Sequence, residues 1–232
     1  MQKTILMIVA VALVGCGESK EGKAANAKAI AEAKAAEESK AIETAIRKLL
    51  KKPTGKITKA DLEKVTWLSL SDNKLTNVKG LEKLTRLTRL GFGNNQLTDV
   101  KGLEKLTQLT YLSISNNQLT KLTEGLEKLT QLKTLNLNAN KLTDLKGLEK
   151  LAKLEWLDLR YNLLTDVKGL ENLTQLTRLG LEYNKLSNVK GLEKLTQLTE
   201  LGLEDNPDLT KAQIAELKKA LPKCIISSNP TK

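Results

Sequence analysis

The chain has 232 residues, and 38 lysines and arginines against 27 aspartates and glutamates leave a formal charge of +11. It holds no histidine, which removes histidine-based catalytic triads, histidine-ligated zinc and histidine pH switches together. Two cysteines, Cys16 and Cys224, stand far apart and show neither a disulfide framework nor a metal-binding pattern.

Residues 1–3 are a short basic start, and residues 5–14 are ten apolar residues without interruption. Ten residues span only about 15 Å as a helix, half of a bilayer core, so this segment is no transmembrane anchor. It reads as an export signal over residues 1–15. The ending Leu13-Val14-Gly15-Cys16 resembles the lipobox of bacterial lipoproteins. That resemblance implies cleavage before Cys16, diacylglycerol on its sulfur and acylation of its amine. It implies a membrane-anchored lipoprotein of the cell envelope, facing the periplasm or the exterior. Several acyl chains anchor durably, at about 0.8 kcal/mol per buried CH₂. Gly17 stands where many inner-membrane lipoproteins carry Asp, so the same resemblance favours the outer membrane.

Residues 16–40 read as a tether of Ala, Glu and Lys, strong helix formers with little apolar surface to bury. The pattern then changes. Ile42, Ala45, Ile46, Leu49 and Leu50 follow the spacing of one apolar helix face, and Pro53-Thr54-Gly55 stops it. Thr58-Lys59-Ala60-Asp61 reads as the capping start of a second, short helix. Residues 41–64 are therefore expected as a helical cap, which a repeat array needs because its first coil exposes raw core.

Asn73, Asn95, Asn117, Asn140, Asn162, Asn184 and Asn206 then recur every 22 residues, with one step of 23 after Asn117. Each follows a Leu-x-Leu run or a close variant, and self-similarity at this period marks a leucine-rich solenoid. The expected fold is an α/β solenoid, a curved leucine-rich-repeat horseshoe with a parallel concave sheet and helical caps at both ends. Seven repeats occupy residues 65–209 as one elongated domain. Alternation such as Leu112-Ser113-Ile114 turns the aliphatics inward along a short strand. The asparagines form a structural ladder, because an inward amide left without partners costs about 1–3 kcal/mol. The convex side repeats Lys-Gly-Leu-Glu-Lys-Leu almost as a word and reads as a solvated helical turn rather than a polyanion patch. Residues 210–232 form a C-terminal cap and tail. They hold a capping box at Thr210 to Gln213, the stripe Ile214, Leu217 and Leu221, and Cys224 as a buried thiol. Ile225 and Ile226 seal the edge.

The 22-residue unit, the asparagine ladder and the N-terminal helix resemble internalin-like bacterial leucine-rich-repeat proteins, over roughly residues 41–226. The resemblance implies a concave sheet that binds a protein, without catalysis. The residues between inward aliphatics face that concavity: Trp67, Arg89, Tyr111, Asn136, Trp156, Asp158, Arg160, Arg178, Glu182, Glu200 and Glu204, with Tyr161 and Tyr183 at the rim. Both tryptophans and all three tyrosines thus share one surface, while Phe92, the remaining aromatic, takes a core position. Trp, Tyr and Arg are the types that most often dominate interfaces. The last coils are acidic, with Asp158, Glu182, Glu200, Glu204 and Asp205, and suit a partner carrying a basic segment.

The expected function is capture of a protein partner by a lipid-anchored monomer. A surface that stacks cell-wall or other carbohydrate on Trp and Tyr is the alternative, weakened by a broad sheet without an evident deep groove. An enzyme is not expected, since nothing in the sequence equips Asp158 or Glu182 for general-acid work. No metal or cofactor is implied. Export and the acidic concave end both disfavour nucleic acid.

Overall fold

The computed structural model describes residues 20–122 and 125–230. The export signal and Cys16, with the acylation read from them, lie outside the described residues. The chain divides into two compact units, residues 1–37 and 38–232. Helix α1 (Lys20–Leu50) provides the described part of the first and the start of the second. Within the first unit, residues 27–37 are exposed, Ile30 among them. Alanine, lysine and glutamate favour helix there without offering a face to bury.

The second unit opens on a buried carboxylate. Glu38 accepts the Thr76 backbone N–H at 2.7 Å and its hydroxyl at 2.5 Å, and also takes a hydrogen bond from the Asn77 side-chain amide. One and two turns further along α1, Ile42 and Ile46 are buried against the core, with Ala45, Leu49 and Leu50 packed beside them. Helix α2 (Lys59–Leu62) follows with both halves of its capping box made, between Thr58 and Asp61. Lys52 and the Thr58 backbone hold the Asp61 carboxyl far below the usual carboxylate range.

Then come the coils, each contributing one short strand. These are β1 (Trp67–Ser69), β2 (Arg89–Gly91), β3 (Tyr111–Ser113), β4 (Thr134–Asn136), β5 (Trp156–Asp158), β6 (Arg178–Gly180) and β7 (Glu200–Gly202). They pair in parallel in chain order. The sequence leads one to expect seven strands, but the sheet has eight. After helix α3 (Lys211–Ala220), strand β8 (Ile225–Ser227) pairs with β7, placing Ile225 beside Glu200. Register moves by 22 residues from Trp67 to Arg89 and by 23 from Tyr111 to Thr134. By sequence the additional residue lies between Leu122 and Gly125, and the strands stay aligned on either side. The middle leucine of each strand, from Leu68 to Leu201, is buried in one continuous core that includes Phe92. Burial of this aliphatic surface stabilises the array at about 25 cal/mol per Å².

The ladder has a repeated geometry. Asn117 Oδ1 accepts the Leu97 N–H of the preceding coil at 2.9 Å. Its Nδ2 donates to the Phe92 carbonyl of that coil at 2.9 Å and to Ile114 and Ser115 of its own at 3.3 and 3.0 Å. Asn95, Asn140, Asn162, Asn184 and Asn206 are buried in the same way, each joined to the coil before it. Asn73 departs from this expectation. No coil precedes it, so its side chain is exposed and, among the described residues, bonds only the Ser71 carbonyl, at 2.7 Å. At that end Glu38 ties down the turn instead.

The outer turns are clamped rather than merely solvated. Asp99 Oδ1 accepts the Lys101 N–H at 3.0 Å, and Glu104 Oε2 accepts the Gly102 N–H at 2.7 Å. Gly102 has φ 114, a left-handed value that strains any side chain. The same unit recurs around Gly147, Gly169 and Gly191. The glutamate of the repeated word is therefore committed to the backbone.

Candidate functional site

Strands β1 to β7 each read x-Leu-x, so the flanking side chains stand on the open face of the sheet while the leucine enters the core. Where a flanking residue is glycine, that face loses its side chain and dips toward the backbone. Gly91 and Gly93 do this on the second coil, Gly180 and Gly202 on the sixth and seventh. Two depressions result. The first, about 540 Å³, is lined by Trp67, Arg89 and Tyr111 together with the hydroxyls of Ser69, Ser71 and Ser113. The second, about 410 Å³, lies between Trp156 and Ile225 and is walled by Arg160, Arg178, Glu182 and Glu200. The broad sheet is thus not without grooves.

The residues expected on this face divide into three kinds. Trp67 (53% exposed), Arg89, Arg178, Glu200 and Glu204 are open to solvent. Tyr111, Asn136, Trp156, Arg160 and Glu182 are half-buried. Asp158 is a correction: it is only 2% exposed and presents no free charge to a partner. Arg160 grips it through Nε at 2.9 Å and a terminal nitrogen at 2.6 Å, and Asn138 donates to it at 3.1 Å. The carboxylate in turn holds the Arg160 guanidinium above its ordinary pKa.

Neighbouring coils place other pairs in contact. The Arg89 guanidinium lies 5.1 Å from the Tyr111 ring centroid, a cation–π distance. Arg178 pairs with Glu200 at 2.8 Å. Glu182 folds down onto Gly202, and its Oε2 is buried without a hydrogen-bond partner among the described residues. Of the acidic end, Asp158 and Glu200 are therefore matched by arginines, while Glu204 stays exposed on the strand face.

Sequence reading missed three features. Ile225 lines the second depression and is 74% exposed, but it belongs to a strand outside the repeat pattern. The glycines fall on the open face by sequence, as in Arg-Leu-Gly at both β2 and β6, and what escaped is that the face dips into recesses there. The third is a row along the rim. Asp72, Asn94, Asn116, Ala139, Tyr161, Tyr183 and Asp205, each preceding a ladder asparagine, all have φ between 51 and 61. Asn94 donates to Asp72 at 3.0 Å and Asn116 to Asn94 at 2.7 Å. Tyr161 and Tyr183 stack with centroids 4.2 Å apart and planes 7° from parallel. Hydrogen bonding to Asp205 and then to Tyr161 pushes the Tyr183 hydroxyl up to about 12. Among the described residues no cluster of three or more acidic or cysteine side chains is arranged to hold a metal.

Leucine-centred parallel strands, one to a coil, tied by a buried asparagine ladder, define a leucine-rich-repeat solenoid. The family model for "Leucine Rich repeats (2 copies)" matches residues 63–105 and again 107–150. The build is internalin-like. The chain is similar to internalin F of Listeria monocytogenes, at 30% identity and TM-score 0.73 over 82% of this chain and 55% of that one. It is similar to internalin C2 of the same bacterium at 26% identity and TM-score 0.65, over 82% and 92% of the two chains. The functional domain of InlJ, also from Listeria monocytogenes and described as including a cysteine ladder, gives 34% identity and TM-score 0.63 over 76% and 38%. This chain therefore spans little more than half the length of the internalin F structure. No curated protein sequence matches it.

Proposed function

We propose that the chain is a lipid-anchored, extracytoplasmic binding module whose open sheet face captures a protein partner. The observation that carries this reading is the relief of that face: Trp67, Tyr111 and Trp156 stand around two glycine-floored depressions on one rigid scaffold. Half-exposed aromatics beside recesses are the form interface anchors take, because they bury large area for little lost side-chain entropy. Eight strands at about 4.8 Å make a face roughly 34 Å wide, enough for a contact of about 800 Å² per partner. Similarity to the internalins, which share this scaffold, supports a binding role over catalysis.

The address rests on the first sixteen residues, where a basic start, an apolar run and Leu-Val-Gly-Cys support export and acylation at Cys16. No helix among the described residues is long and apolar enough to cross a membrane. In this reading the protein is a monomer held at the cell envelope through lipid, and it engages no nucleic acid. Crosslinked capture from native envelopes, compared with a Tyr111→Ala/Trp156→Ala chain, tests the binding surface. Capture should fall more than tenfold while the folding transition stays in place; undiminished capture refutes the aromatic anchors.

A further inference from the structure

The rim row changes character halfway along. From Asp72 to Asn116 it is a polar ladder in which Asn94 donates to Asp72 and Asn116 donates to Asn94. Asn116 Nδ2 is used in this way, but among the described residues no donor reaches its Oδ1. The coil that would supply one carries Ala139, whose methyl can donate nothing. One coil further on the aromatic stack begins. Tyr161 and Tyr183 are nearly parallel, 4.2 Å apart and on consecutive coils, so their ring normals run along the stacking direction. One face of Tyr161 is covered by Tyr183. Tyr161 is nevertheless 52% exposed, and the coil on its other side carries only the alanine at this position of the row.

Ala139 therefore floors a notch whose walls are an aromatic face and an amide oxygen lacking a donor. The walls stand two coils apart, about 9.6 Å between mean planes. A flat arene resting on Tyr161 reaches only part of the way across and carries no donor on its face. A puckered sugar ring does both jobs: one C–H face packs on the tyrosine, and a hydroxyl on the far side reaches Asn116 Oδ1. The three residues that define the notch, Asn116, Ala139 and Tyr161, are uncharged at neutral pH, so its ligand is neutral. We propose that the notch over Ala139 is a binding subsite for a neutral hexopyranose unit of a glycan. It lies on the rim, outside both depressions, and its variants leave Tyr111 and Trp156 untouched, so it stands or falls separately from protein capture.

Ala139→Asn gives a clean test. Asparagine is better suited than alanine to φ 51, and it completes the amide ladder while plugging the notch. Saturation-transfer NMR of the full chain would use cellotetraose, chitotetraose and maltotetraose, with N-acetyltyrosinamide as the arene rival. At least one oligosaccharide should bind, with transfer concentrated on the C–H protons of one ring face. Tyr161→Ala and Ala139→Asn should each weaken that binding at least tenfold, and the melting temperature of Ala139→Asn should match or exceed that of the parent. Binding by none of the three sugars, binding that survives Ala139→Asn, or preference for the arene overturns the proposal.

Discussion

The Glu182 carboxylate rests on the bare backbone of Gly202, one coil along, where any Cβ would overlap it. Because the obstructing atoms are the tip of a flexible side chain, a methyl there would move Glu182 rather than break the sheet. Gly202→Ala is therefore expected to change stability by less than about 1 kcal/mol. The displaced carboxylate would occupy the depression between Trp156 and Ile225. Partner capture through that depression should drop about tenfold, seen by crosslinking yield beside an unshifted melting curve.

The ladder makes a position-dependent prediction. Asn140→Ala leaves the buried Leu119 N–H without its acceptor and takes from the Ile114 carbonyl its shorter bond, leaving it the 3.3 Å bond from Asn117. An orphaned buried donor costs about 1–3 kcal/mol, so the variant should lose about 2 kcal/mol in urea unfolding. Asn73→Ala, at the exposed first position, should stay within about 0.5 kcal/mol of the parent. Equal losses at the two positions would contradict the burial argument.

Acid should loosen the outer turns first. Their own backbone N–H groups and those of Gly102 and Gly169 hold the carboxyls of Glu104 and Glu171 below the ordinary 4.5. Gly125 does the same, as the larger influence, for Glu127. A carboxyl depressed in the folded state contributes stability that is complete above its unfolded value. That contribution is lost as pH falls through the folded value. Stability should hold from neutrality to about pH 5 and decline below 4.5, and the Glu104→Gln/Glu127→Gln/Glu171→Gln chain should show a shallower decline. Urea midpoints across that range measure it.

At the N-terminus, Cys16→Ser should abolish the acylated N-terminal peptide in mass spectra of envelope fractions and shift the protein out of the membrane pellet. A mature mass that differs only by the substituted side-chain atom would overturn acylation.

Much of the architecture was legible because a solenoid writes its geometry once per coil. The step from Asn95 to Asn117 already states the strand spacing, and Leu-x-Leu states which side chains enter the core. The eighth strand was not, since Ile225 to Ser227 joins the sheet through backbone groups of β7 and carries no repeat motif. Nor was the fate of the charges. Asp158 and Glu204 look alike as acidic residues of the strand face, yet one is buried under Arg160 and the other is exposed.

Local periodicity was enough to determine the coil, its inward leucines, the ladder column and the need for an end cap, because each depends on spacing within one or two repeats. Tertiary structure alone decided which open-face residues remain available. That depends on what the next coil places about 4.8 Å away: a glycine that opens a recess, an arginine that neutralises a carboxylate, or a second tyrosine that covers the first.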